Sequence, residues 1–186
     1  MPPSQPFAGA GVYALYYSGS HPAYQGLTRL SGAGKSFPVY VGKAAGQSAK
    51  QGFNPATSSA RKLYDRINQH ADSIDAVSCL DKSDFSCRYL VLNDAYIALA
   101  ESVLISVFRP PWNGMSFGSK VVGKNRMGGR PSLWDSLHPG RAGRPAGSKS
   151  RAGDARRLID QRVSELGAGI SDPVLRKMYD RIMRFA

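Results

Sequence analysis

The chain has 186 residues and a 42% hydrophobic fraction, enough for one domain with a buried core and too apolar for a disordered segment. No apolar run reaches the ~18–20 residues a bilayer span needs, and the start MPPSQPFAGAG lacks a basic flank followed by an apolar stretch, so no secretory leader is expected and the cytoplasm is the expected compartment. Twenty-five Lys and Arg against thirteen Asp and Glu give a net charge of +12, a surplus that points to a polyanion, with nucleic acid favoured over a basic surface kept for solubility.

Gly11–Tyr17, GVYALYY, is aromatic, β-preferring and bounded by glycines, which predicts a strand. Ser18–Phe37 is rich in Gly and Ser and reads as a long loop. Val39–Lys43, inside PVYVGKA, gives a second strand, followed by a polar loop over Ala44–Ser58. Leu63, Ile67, Ala71 and Ile74 recur at helical spacing, so a helix is expected from Ser59 to about Ile74. Phe85–Leu92, FSCRYLVL, gives a third strand. Asn93 or Asp94 caps a helix to Phe108, which RPP ends. The order is β-β-α-β-α.

Beyond Gly114 the pattern changes. Residues 114–186 carry fifteen Lys and Arg and six Asp and Glu, a surplus of nine, against ten and seven in residues 1–113, a surplus of three. Periodicity vanishes through the Gly- and Pro-punctuated stretch Gly114–Gly153. Two basic helices follow over Asp154–Leu166 and Asp172–Phe185. Their apolar residues, among them Val163, Leu166, Val174, Leu175, Met178 and Ile182, suit either a dimer seam or packing on the chain's own core. The expected division is a core over 1–115 and a basic C-terminal extension over 116–186, packed on it as one structural unit.

Several polar residues stand in apolar places. Glu101 is one of only two glutamates in the chain, and it shares a helix face with Ile97, Leu104 and Phe108. A carboxylate there is costly to bury without a cation or several donors. A Mg²⁺ ligand and an ion pair with arginine are equally consistent with it. Arg66 and His70 lie four apart on the helix side that carries Leu63, Ile67 and Ile74. Arg offers a planar fork for phosphate and His titrates near neutrality, so the pair suits phosphodiester chemistry. Asn113, before Gly114, also suits a turn. Cys79 and Cys87 have no His or Cys companion at ligand spacing, which argues for two reduced structural thiols and against a zinc site.

These residues together resemble the GIY-YIG nuclease superfamily. Gly11–Tyr13 (GVY) matches the first half of the name and Tyr40–Gly42 (YVG) the second, with Lys43, Arg66, Glu101 and Asn113 downstream in order. Arg66-x-x-x-His70 and Ser132–Arg141 (SLWDSLHPGR) are similar to the type II restriction endonucleases of that fold, which cut the palindrome CCGCGG as homodimers. The resemblance runs from about Gly11 to Arg141. It implies an α+β fold, a small three-stranded antiparallel sheet flanked by helices, and Mg²⁺-dependent cleavage of double-stranded DNA to 5′-phosphate and 3′-hydroxyl ends.

The resemblance also implies roles. Glu101 would hold one Mg²⁺, for which Mn²⁺ can substitute, and Arg66 would stabilise charge at phosphorus. Tyr13 or Tyr40 would take the proton of the attacking water with His70 beside it. Gly42 would give the DNA backbone room, Lys43 would meet a phosphate, and Asn113 would orient a neighbour or a phosphate. Guanine is best met by Arg or Lys at O6 and N7. Arg29, Lys35, Arg126, Arg130, Arg141 and Arg144 are therefore the expected DNA contacts, some to bases and others to phosphates. A cognate methyltransferase is the expected partner of such a system. Two other readings remain: a structure-specific or homing nuclease on the same fold, and a non-catalytic basic nucleic-acid-binding protein.

Overall fold

The computed structural model describes residues 1–31, 37–45, 59–118, 131–145, 147–169 and 172–184. Three strands, β1 (Gly11–Tyr17), β2 (Tyr40–Ala44) and β3 (Phe85–Val91), form an antiparallel sheet in the order β2-β1-β3. The central strand is buried along its whole length. Its period-2 alternation therefore feeds two cores at once. Tyr13, Leu15 and Tyr17 face Leu63, Ile67 and Ile74 of α2 (Lys62–Asp75). Val12, Ala14 and Tyr16 lie in the clusters that α3 (Asp94–Phe108) covers with Ile97, Leu104 and Ile105. This is the expected α+β sheet with helices on both faces.

The strand and helix boundaries follow their local signals. Asn93 caps α3 by accepting from the Ala95 N–H. Arg109 ends it in the left-handed conformation, at φ 42°, immediately before Pro110. Some helical elements, the short ones before β3 and after α3 among them, were not expected. Between β1 and β2, where Gly and Ser suggested only loop, Pro22–Tyr24 forms a 3₁₀ turn leading into α1 (Gln25–Ser31). This helix is held by packing and not by propensity. A side chain at Gly26 would press within 2.9 Å of Val163, which belongs to the C-terminal helix α6 (Lys149–Gly167).

The C-terminal elements join the main core. Trp112 of the short α4 (Pro111–Gly114), Trp134 and Leu137 of α5 (Leu133–Leu137), and Ala155 and Ile159 of α6 occupy one buried cluster with Tyr13 and Leu15. Of the two uses open to the last helices, α6 takes packing on its own chain, with Val163 and Leu166 against that cluster. It begins five residues before the expected Asp154, because Ser148 caps it by accepting from the Arg151 N–H at 3.3 Å. In the last helix, α7 (Pro173–Arg184), Tyr179 stacks on Phe37 and meets Phe108 edge-on.

Candidate active site

The tyrosines of the two motif strands converge. Gly42 is the register partner of Tyr13, and the Tyr13 and Tyr40 rings lie 6.1 Å apart on the α2 face of the sheet. A Cβ at position 42 would sit 2.5 Å from the Tyr13 hydroxyl and 2.8 Å from the Tyr40 ring. The space beside Gly42 is thus filled by phenols, which corrects the expectation that this glycine makes room for the DNA backbone.

From α2, His70 reaches the same point. Its Nε2 lies 2.6 Å from the Tyr13 hydroxyl, and both side chains are buried, at 3% and 1% exposure. Burial, helped by the positive charges of Arg66 and Arg141, lowers the His70 pKa to about 3. The imidazole is therefore neutral across physiological pH, and the phenol donates to it. Burial likewise drives the Tyr13 pKa far upward, with Tyr40 adding to the shift and Arg66 opposing it. Tyr40 is raised by burial too, against the lowering pull of Arg66. Burial thus holds Tyr13 and His70 in their neutral forms beside the Arg66 guanidinium.

Arg66 is half-buried and held in place, Nη2 donating to the Gly118 carbonyl at 2.6 Å and Nη1 to Gln69 at 3.0 Å. A Cβ at Gly118 would collide with the Tyr40 hydroxyl, so the backbone there closes over Tyr40 and Arg66 together.

Glu101 stands across β2. Strand alternation puts Lys43 on the α3 face, where its ammonium pairs with the Glu101 carboxylate at 2.7 Å. The ion pair of Glu101 is made with Lys43 and not with the arginine considered from sequence. The pair is open to water, the Lys43 side chain at 42% and that of Glu101 at 20% exposure. β2 is an edge strand, and Glu101 is among the groups that raise the Tyr40 pKa, so the two clusters meet electrostatically at that edge. An oxygen donor that already holds one cation, with solvent beside it, fits Mg²⁺, which favours oxygen and keeps several waters. The second glutamate, Glu165, bridges Arg109 and Arg162 on the surface.

Asn113 orients a neighbour. Its Oδ1 accepts from the Val41 N–H at 2.9 Å and its Nδ2 donates to the Val41 carbonyl at 2.7 Å. It thus acts as a one-residue strand beside the edge of β2. Removing it in Asn113→Ala leaves both backbone groups of buried Val41 unmatched, at a cost of about 2 kcal/mol. Denaturant unfolding should show that loss. Cleavage should fall with it, since β2 carries Tyr40 and Lys43.

The expected DNA contacts divide. Lys35, Arg126 and Arg130 lie outside the described residues. Arg29 is exposed on α1 and donates to its helix neighbour Gln25 at 3.5 Å. Arg144 is half-buried in the turn before α6. Arg141 is placed differently. Its guanidinium grips Asp135 at 2.6 and 2.7 Å, donates to the Phe117 carbonyl and stacks 4.5 Å over Trp134. The Arg141 and Asp135 side chains are 9% and 4% exposed, a placement that suits an anchor and not a reader of bases. Asp135 and Ser132, whose hydroxyl bonds the Asp135 carboxylate, were not singled out from sequence. Serine followed three residues later by Asp135 at a helix start was the available signal.

Compared with known families, residues 5–166 match the family model described as the Eco29kI GIY-YIG domain. Among curated proteins no match was found. No helix of the described residues is long and apolar enough to cross a membrane. The match spans both motif strands, Arg66, His70, Glu101, Asn113 and the α5 segment, and the three-stranded antiparallel sheet agrees with it. The chain belongs to the Eco29kI GIY-YIG domain family and is a GIY-YIG endonuclease.

Proposed function

We propose that this chain is a type II restriction endonuclease that cuts both strands of a GC-rich palindrome, CCGCGG, in a Mg²⁺-dependent reaction leaving 5′-phosphate and 3′-hydroxyl ends. The observation that best supports the nuclease chemistry is the buried Tyr13–His70 hydrogen bond beside Arg66, an arrangement able to pass a proton next to a phosphate-binding cation. The choice of DNA site rests on the family.

Glu101 holds the Mg²⁺ in this reading, with Lys43 released toward a DNA phosphate. Such an ion would supply Lewis-acid stabilisation of the negative charge on the phosphodiester. Arg66, fixed by Gly118 and Gln69, stabilises the charge that builds on phosphorus as water attacks in line. Tyr13 takes the water's proton while passing its own to His70 Nε2, so the phenol need never exist as a free phenolate. Burial is the main cause of the low His70 pKa; the arriving negative phosphate offsets the smaller contribution of Arg66 and Arg141 and so raises its proton affinity when it is needed.

A palindrome calls for a two-fold pair of subunits, each cutting one strand. Leu90, Tyr96 and Leu99 are exposed at 56%, 56% and 65%, and they give β3 and α3 an apolar patch, beside the exposed Arg88, that suits a second copy. Residues 1–115 supply the nuclease core and 116–186 the DNA-reading and anchoring extension. The enzyme acts in the cytoplasm, and host DNA is protected by a cognate methyltransferase.

A duplex bearing CCGCGG, incubated with Mg²⁺, should be cut, and duplexes differing by one base pair should not. The ends should ligate without a kinase step. Cutting that ignores sequence would turn the assignment to a structure-specific nuclease.

A further inference from the structure

The fold gathers three metal-ligand side chains that lie far apart in sequence and well away from Glu101 in role: His21, Cys79 and His138. One donor atom from each lies within 4.8 Å of the others. His21 precedes the 3₁₀ turn after β1, Cys79 sits in the connection from α2 to β3, and His138 caps α5. Spacing along the chain had argued against a zinc site. The ligands come from three separate segments, so spacing could not register them.

We propose that His21, Cys79 and His138 bind one zinc-class transition-metal ion, which staples the C-terminal segment to the nuclease core. The Cys79 sulfur stands 3.1 Å from His138 Nδ1. In a tetrahedral zinc site, bond lengths of ~2.3 Å to sulfur and ~2.0–2.1 Å to nitrogen put the donor atoms roughly 3.3–3.6 Å apart. Reaching that spacing calls for movement of half-buried His21, whose Nδ1 accepts from the Ala23 N–H, and of exposed Cys79.

The second layer is already built. His138 is fully buried, and its Nε2 lies 2.5 Å from the Tyr24 hydroxyl, which accepts from the Trp112 indole at 2.8 Å. Such a bond on the far nitrogen fixes the ring and leaves Nδ1 directed at the thiol, as the outer partners of metal-bound histidines do. A thiolate with two imidazoles selects zinc, or cobalt as its probe, and not the hard Mg²⁺ that Glu101 suits. Arg156 acts on both histidines. Its charge works against a bare cation there, and burial raises the Cys79 thiol above the ordinary thiol range, so an incoming metal has to displace that proton. Three protein ligands with an exposed cysteine leave a fourth position for water.

The test uses the untagged full chain, stripped with chelator and titrated with Co²⁺ and, separately, Zn²⁺. Expected are one ion bound per chain, a thiolate-to-cobalt charge-transfer band with intense four-coordinate visible bands, and a Tm raised by about 5–10 °C at a hundredfold excess over Kd. Cys79→Ser should lose the charge-transfer band and His21→Asn should weaken binding at least tenfold, and both positions are accessible enough for the variants to fold. Glu101→Gln should keep the band. A folded natural protein with no cobalt band and no zinc-dependent Tm would reduce the trio to a hydrogen-bond cluster and overturn the proposal. So would bands that persist in Cys79→Ser.

Discussion

Tyr13→Phe and His70→Ala should each slow DNA cleavage by about 10²–10⁴-fold, and the double variant should be no slower than the worse single. The 2.6 Å bond makes the phenol and imidazole one proton path. Breaking either end removes the whole path, and the second change has nothing left to remove. Single-turnover cleavage at saturating enzyme measures the cycle without interference from binding. Two independent losses that multiply would show that Tyr13 and His70 act separately. The free-enzyme profile of kcat/KM against pH should also lack an inflection near 6.5, because the folded His70 pKa is about 3.

The same depressed pKa makes a claim on stability. Unfolded, His70 binds a proton below about 6.5; folded, it resists one down to about 3. In that window the unfolded state holds more protons, so stability rises with pH and is lost as pH falls from about 6.5 toward 3.

The second large effect is structural. Arg141→Ala should destabilise the protein by about 3–5 kcal/mol, because it strands the Asp135 carboxylate in a nearly dry site. Thermal unfolding would fall by about 6–20 °C on that estimate. Replacing both partners with apolar residues, as in Asp135→Leu with Arg141→Met, should recover much of the loss. A base-reading Arg141 would behave otherwise, with Arg141→Ala folding normally and altering only the choice of DNA site.

The parts of the fold visible in sequence are those whose own periodicity matches their burial. β1 announces itself because every residue from Gly11 to Tyr17 is buried and β-preferring, and α3 because Asn93 caps it and RPP ends it. α1 was hidden because Gln25–Ser31 has little helical pattern and is stabilised by α6, more than a hundred residues later. Separation in sequence also hid the His21–Cys79–His138 group, whose members come from three segments, while the Asp135–Arg141 anchor, only six residues apart, was hidden because its burial depends on Trp134 and Phe117 packing around it.

In the site, residue types were legible and their electrical states were not. Arg66, His70, Tyr13 and Tyr40 do lie together in one packed cluster, but a neutral His70 could be known only from how deeply it is buried. Glu101 likewise looked anomalous from its apolar face, while its resting partner, Lys43, depends on the strand register.

The most direct test is a plasmid digest with Mg²⁺ that compares the natural protein with Glu101→Gln at equal concentration. Discrete fragments from the natural protein, reduced at least about 10³-fold in the variant although DNA binding persists, are the expected result. If neither protein cuts DNA containing CCGCGG, or if Glu101→Gln cuts as well as the natural chain, the metal-dependent nuclease built on Tyr13, His70, Arg66 and Glu101 is contradicted.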